Sequence, residues 1–400
     1  MPETTAQPLA FPFDDDPGLA PPAELARLRD HAPVARVRLP FGEPAWLVTR
    51  YEDVRLVLRD ARFSRAAAKG KDAPRVSPFD DEQGILSLDP PDHTALRNLV
   101  AGAFTVRRID ALRDRTRRLA ESLVADIAAG EGLVDLVGSF ALPLSVGVLC
   151  ELLGVPATDQ ERIVHWAEAF HSTKGLTGEE IGRRAMELHD YLATLVRARL
   201  SEPTDDVLGI AARSLAAAPQ GLTEEDLTWL AVGLVGAGYE TTSAQLSNSL
   251  FLLLAESGRW TWLAGHPDRI GAAVEELLRF VPLQTAGVFS RYALEDVEIG
   301  GVLVRAGDAV VVDLTSANRD ATAFDRPDVI DLERQSNPHV AFGHGIHHCL
   351  GAALARMELA VGLETLATRL PGLALAAPTT EVGWLAGAVM RAPAALPAHW

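Results

Sequence analysis

The run Phe342-Gly343-His344-Gly345-Ile346-His347-His348-Cys349-Leu350-Gly351 sets one thiol and three imidazoles among three glycines. Glycines let a backbone loop approach a flat ligand closely. Cys349 stands just ahead of Ala352 to Leu370, whose apolar spacing reads as a helix. A helix N-terminus offers free N–H groups and a positive dipole end, which favour a thiolate over a thiol. A thiolate on a heme iron donates electron density and promotes O–O cleavage. An inert buried cysteine would need none of these neighbours. A zinc site through His344, His347, His348 and Cys349 would be crowded, because adjacent residues rarely converge on one ion.

A second cluster is Ala237-Gly238-Tyr239-Glu240-Thr241-Thr242. Gly233, Gly236 and Gly238 interrupt a helical pattern, and each costs about 1 kcal/mol relative to alanine. An acid and an alcohol in an apolar helix also need partners. Close helix packing with a polar kink would explain the same residues. Glu276 and Arg279 stand three apart, a spacing ordinarily met in surface ion pairs worth about 0.2–0.5 kcal/mol. Asp89-Pro90-Pro91-Asp92-His93, Arg97 and Arg291 add groups that could meet buried ligand carboxylates.

The Cys349 run resembles the heme-binding loop of the cytochrome P-450 family, F-G-x-G-x-H-x-C-x-G, at every fixed position. That resemblance implies that Cys349 is the proximal iron ligand. Phe342 would pack near its sulfur, Gly343 and Gly351 would shape the loop, and His347 would hydrogen-bond a heme propionate. Ala237 to Thr242 is similar to the family's A/G-G-x-D/E-T oxygen groove. Beside Ala237, Gly238 would leave room for O2. Thr241 would hydrogen-bond the oxygen, and Glu240 would help deliver protons. Glu276 and Arg279 match the E-x-x-R pair, a buried structural network whose breakage is costly. His93 and Arg97 match H-x-x-x-R, and Arg291 matches a further propionate-binding arginine. Ala317-Asn318-Arg319-Asp320 and Phe324-Asp325-Arg326-Pro327 match a later signature. Tyr239 departs from the histidine frequent in bacterial members.

The family implies one mostly α domain over residues 1–400, with small β-sheets (α+β). Heme b would lie between the long oxygen-binding helix and the helix after Cys349. The chain resembles bacterial members that tailor secondary metabolites such as polyketides, macrolides or modified peptides. Hydroxylation or epoxidation with O2 is the leading expectation. Oxidative coupling, desaturation, and a non-catalytic heme sensor or carrier are the alternatives, and the Glu240–Thr241 pair favours oxygen insertion. The pocket is expected at Phe79, Ile85 and Leu86, at Phe170 and Leu176, and at Leu234. Leu283, Gln284, Thr285, Val288 and Phe289 would continue it, and Val389 and Met390 would close it. These residues are mostly apolar, which fits a hydrophobic small molecule.

The elements that must carry these residues are also readable. Val34 to Val48, around a Pro40–Pro44 turn, reads as a hairpin. Residues 52–255 are mainly helical. Thr223 with Asp226 resembles a capping box opening a helix to about Ala255. A further helix is expected over Pro267–Phe280, strands over Val297–Ile299 and Ala309–Leu314, and a short β-like tail at the end. No flavin or nicotinamide fingerprint and no ferredoxin-like cysteine cluster appears. Electrons from NAD(P)H are therefore expected through a ferredoxin and its reductase. Six arginines between Arg107 and Arg118, against Asp110 and Asp114, offer a docking patch. The net charge of -17 argues against nucleic-acid binding. Two cysteines, Cys150 and Cys349, about 200 positions apart, argue against a disulfide framework. Without a signal-peptide pattern or an uninterrupted apolar span, a soluble cytoplasmic monomer is expected.

Overall fold

The computed structural model describes residues 7–13, 18–78, 84–173, 175–217, 221–284 and 289–400. Among these the helices are α1 (Ala23–His31), α2 (Tyr51–Arg59), α3 (Asp92–Ala101), α4 (Val106–Ala128), α5 (Leu142–Leu153), α6 (Gln160–Ala167) and α7 (Gly178–Ser201). They continue with α8 (Val207–Ala217), α9 (Glu224–Leu254), α10 (Ser257–Gly265), α11 (Ile270–Phe280), α12 (Leu314–Ala317) and α13 (Ala352–Arg369). The strands are β1 (Leu9–Ala10), β2 (Val34–Arg38), β3 (Ala45–Val48), β4 (Phe63–Ser64), β5 (Val134–Asp135) and β6 (Arg291–Ala293). After them come β7 (Val297–Ile299), β8 (Val302–Val304), β9 (Ala309–Val312), β10 (Ala374–Leu375) and β11 (Pro397–His399). Long helices dominate and the sheets are small, the expected mostly α architecture.

The longest helix, α9, starts where its capping box places it. The Thr223 side chain accepts from the Asp226 N–H, and the Asp226 carboxylate accepts from the Thr223 N–H at 2.8 Å. Its second half, from Thr242 to Leu250, is buried on every face, as expected of a helix running through the core. It packs against α5, α7 and α13. α13 lies along α4 and α11, so the segment after Cys349 is anchored by two helices.

The expected hairpin forms: β2 and β3 pair antiparallel, Val34 opposite Val48. β3 then pairs in parallel with β9, giving the sheet order β1-β2-β3-β9-β6-β4. The strand read as Ala309–Leu314 stops at Val312. There the Asp313 carboxylate caps α12 by accepting the Ser316 N–H at 2.7 Å, which turns the chain. Helix formation over Pro267–Phe280 also begins later, with a 3-10 turn at Pro267–Arg269 ahead of α11. The β-like tail is β10 and β11, which join β5 in a separate sheet.

The arginine run on α4 is less basic in space than in sequence. Arg108 pairs with Asp205, Arg115 with Glu151 and Arg117 with Glu364, all acids from other elements. Among the described residues no helix is long and apolar enough to cross a membrane.

Candidate active site

Cys349 sits in a loop held by its own backbone. Its N–H donates to the Phe342 carbonyl at 2.9 Å, and the His348 N–H donates to the Gly345 carbonyl at 3.0 Å. Gly343 and Gly345 have φ of +71° and +75°, a region that non-glycine residues rarely adopt. Gly345 also lies against the backbone of Leu58 and Arg59, where a Cβ would collide, so the loop is seated on the end of α2.

The Cys349 side chain is open to solvent although protein surrounds it, as expected of a residue lining a cleft. Burial pushes its thiol up, opposed by the Gly351 N–H, Arg97 and Arg356. A cation at the sulfur would supply the stabilisation these leave short. Cys150, by contrast, is buried inside the core, and burial alone pushes it up to about 11.

The loop is braced from outside by residues the sequence did not single out. Arg356 on α13 lies over the Phe342 ring at 4.6 Å and donates to both oxygens of Glu275 at 2.6 and 2.9 Å. Glu275 also pairs with His339 at 3.0 Å. Burial raises the Glu275 carboxyl, but His339 and Arg356 outweigh it and hold it at about 2. Only the tertiary packing of α11 on α13 brings these groups together.

Glu276 and Arg279 face the other side of α11 and are wholly buried. They bond at 2.7 and 2.9 Å, and Arg334 joins Glu276 at 2.9 Å. Arg279 also donates to the carbonyls of Asn318 and Pro327, within the two later signature segments. The surface ion-pair alternative is thus excluded by burial.

Groups suited to bind carboxylates converge beside the cleft. The ring centroids of His93 and His347 are 4.4 Å apart. Among the described residues, neither buried ring nitrogen of His347 has a hydrogen-bond partner. Burial, then Arg65, His93 and Arg291, push His347 down to about 3. Arg291 on β6 is buried, its guanidinium makes no hydrogen bond among the described residues, and burial pulls it down to about 10. Buried polar groups of this kind call for an anion. Two heme carboxylates, with iron at Cys349, fit this donor set. Arg97 points instead to the loop, donating to the His348 carbonyl at 2.9 Å.

On α9, Gly233, Ala237 and Thr241 share one face at i, i+4 and i+8. Ala237 is exposed near the middle of this helix, between buried Val235 and Tyr239, and a Cβ at Gly233 would meet open space. The Thr241 hydroxyl donates back to the Ala237 carbonyl at 2.7 Å. Gly238 faces elsewhere: a Cβ there would sit 2.7 Å from Leu149 of α5. Its missing side chain is therefore filled by helix packing, not by the open groove. Tyr239 is buried and its hydroxyl reaches the Val164 carbonyl at 3.5 Å. Glu240, half-buried, adds a negative field that raises both Tyr239 and Glu168 after burial does.

The pocket residues fall into separate groups. Ile85, Leu86, Phe170, Leu176, Leu234, Leu283 and Gln284 are half-buried. The Phe170 ring packs 3.7 Å from the Cβ direction of Gly236. Gln284 pairs with Met390 as a β-bridge, and Asn248 on α9 holds the Arg391 carbonyl at 2.7 Å. Val389 and Met390 are buried behind that bridge. Phe289 is 41% exposed, with the Arg65 guanidinium 4.6 Å from its ring. Phe79, Thr285 and Val288 lie outside the described residues.

Comparison with known proteins agrees with this geometry. The Cytochrome P450 family model matches residues 270–370. Mycinamicin IV hydroxylase/epoxidase of Micromonospora griseorubida is 46% identical, over 99% of this chain and 100% of its own length. Nocardicin C N-oxygenase of Nocardia uniformis subsp. tsuyamanensis is also 46% identical, over 98% of each chain. Among solved structures, HinD with NMFT and NO superposes with a TM-score of 0.95 at 48% identity, covering 99% of this chain and 100% of that one. With likeness of this extent in sequence and in backbone, the chain belongs to the cytochrome P450 family of monooxygenases.

Proposed function

We propose that this enzyme inserts one atom of O2, by hydroxylation or epoxidation, into a hydrophobic natural product of polyketide, macrolide or peptide type. The observation that carries the reading is the open face of α9: Ala237 and Thr241 line it, as Cys349 and His347 line the cleft of the thiol loop. Relatives named for oxidation of mycinamicin IV and nocardicin C support the substrate class. The chain works as one domain in this reading.

Heme b held by Cys349 supplies the iron that activates O2 with two electrons. The protein's own residues do the rest. Cys349 ligates, His347, His93 and Arg291 hold the carboxylate edge, and Arg356 and Phe342 keep the loop in place. Thr241 presents a hydroxyl on the open face of α9, and Glu240 beside it supplies an acid for proton delivery. Glu276 and Arg279 fix the segments under the loop. Apolar Leu234, Leu283 and Phe289 select a hydrophobic substrate, with Gln284 available to a substrate oxygen.

The electrons come from NAD(P)H through a ferredoxin and its reductase. The arginine run of α4, Arg107 to Arg118, borders a surface groove of about 330 Å³ lined by Arg113 and Arg356 together with their acids Asp110 and Glu275. That run is the docking face in this reading.

The first test is the spectrum of the reduced protein with carbon monoxide. A Soret band shifted far to the red is the expected result, and a histidine-type band would overturn the reading. Thr241→Ala should then retain heme and substrate-induced spin change while diverting electrons to hydrogen peroxide. Unchanged coupling of NADH use to product would refute the role of Thr241. Product carrying one added oxygen distinguishes insertion from coupling or desaturation.

A further inference from the structure

Tyr239 stands where bacterial members of the family frequently carry histidine, directly before the Glu240–Thr241 pair. It is 2% exposed, and among the described residues its hydroxyl has one hydrogen-bond contact, the Val164 carbonyl of α6 at 3.5 Å. A buried phenol needs an acceptor, and a good O–H···O bond is about 2.7–2.8 Å long. The contact is therefore stretched. Val164 lies in the last turn of α6, where its carbonyl also accepts the Glu168 N–H. A carbonyl oxygen has two lone pairs and can serve both donors. Burial, then Glu240 and Glu168, raise the phenol above its ordinary pKa, so it stays a donor.

α6 runs straight into a 3-10 turn, Glu168–His171, that also packs on α9. The Phe170 ring of that turn lies 3.7 Å from the Cβ position of Gly236, one helical turn before Glu240. Beyond the turn, the Thr173 N–H donates to the Gly387 carbonyl at 2.7 Å, next to the Val389–Met390 segment. One short segment thus meets α9 at Gly236 and Tyr239 and borders the expected pocket.

We propose that Tyr239 is a positioning residue: its hydroxyl ties the end of α6 to α9, so that a ligand pressing on Phe170 also sets the placement of Glu240 and Thr241. This rests on the oxygenase reading of the site. As α6 settles on α9 the contact shortens to an ordinary bond, which stabilises the closed arrangement over the open one. Pocket occupancy and the tether then favour each other reciprocally. An imidazole at this position would be a shorter arm and would titrate near neutral pH, whereas the phenol keeps its proton.

The test uses ferric holoenzyme of wild type, Tyr239→Phe, Phe170→Ala and the double variant. Tyr239→Phe keeps the ring that fills the site and removes the hydroxyl alone. 4-Phenylimidazole, long enough to extend from the iron towards Phe170, should bind about fivefold more weakly to Tyr239→Phe, the loss of one neutral hydrogen bond. Imidazole, too short for that contact, should bind every variant alike. Once Phe170 is alanine, Tyr239→Phe should weaken 4-phenylimidazole no further. In wild type, 4-phenylimidazole should slow hydrogen–deuterium exchange across residues 160–171, and Tyr239→Phe should abolish that protection. The C–O stretch of the reduced carbon monoxide complex, which senses polar groups on the oxygen face, should shift in Tyr239→Phe. Equal weakening of imidazole, additive effects in the double variant, or undiminished protection would overturn the coupling. An unmoved C–O stretch would overturn the placement of Glu240 and Thr241. A wild-type protein lacking the thiolate carbon monoxide band would instead defeat the oxygenase reading itself, and this proposal with it.

Discussion

Removing the carboxylate of Glu276 should unfold much of what holds the thiol loop. Glu276 accepts from Arg279 Nε and Nη2, Arg334 Nε, Asn337 Nδ2 and the Asp331 N–H, at 2.7 to 3.2 Å. Its side chain and that of Arg279 are 0% exposed, and Arg334 is 7% exposed. Glu276→Ala therefore strands two buried guanidinium groups without their anion. Breaking a buried pair costs about 3–5 kcal/mol. A folded protein has only about 5–15 kcal/mol in hand, so the variant should purify with a large deficit of heme. Glu276→Gln keeps the volume but turns one acceptor into a donor among donors, a loss of about 1–3 kcal/mol. The assay is urea unfolding followed by tryptophan fluorescence, with heme content per chain measured alongside. Acid provides an internal check. Burial raises the Glu276 carboxyl, and Arg279, the Asp331 N–H and Arg334 lower it further than that, to below its ordinary 4.5. Its stabilisation is thus complete above that ordinary value and is lost as pH falls through the folded pKa. The gap between wild type and Glu276→Ala should narrow below about pH 4.5. An alanine variant with full heme and stability within about 1 kcal/mol of wild type at neutral pH would refute the reasoning.

Other predictions follow from single contacts. Gly238→Ala should destabilise by about 1–3 kcal/mol through overpacking against Leu149, even after the gain of about 1 kcal/mol in helix propensity. In a Leu149→Ala background the same change should become stabilising, and denaturant midpoints decide the sign. Glu275→Gln should remove a stabilisation that is complete above pH 4.5, because the folded carboxyl is held at about 2 by His339 and Arg356. Wild type should therefore hold its heme better than the variant at neutral pH, and in a heme-release titration that advantage should shrink progressively from about pH 4.5 to about 2. Equal acid tolerance would refute the brace.

Much of this protein was legible before its structure. The Cys349 run, the capping box at Thr223 and the Glu276–Arg279 spacing are local patterns, set by side-chain type and by helix or turn geometry. They specified the fold class, the thiol loop and the long helix. What the chain alone left undecided depends on neighbours distant in sequence. Spacing cannot say which way a helical glycine faces, so Gly238 reads equally as groove or packing until Leu149 fills it. Nor can it show that acids at 151, 205 and 364 pair with the arginines of α4. Glu275 and Arg356, 81 positions apart, become a brace only when α11 packs on α13. Sequence determined which reactive groups exist and what backbone carries them. Tertiary structure decided which of them are buried together, because burial and charge convergence are sums over elements that no local pattern contains.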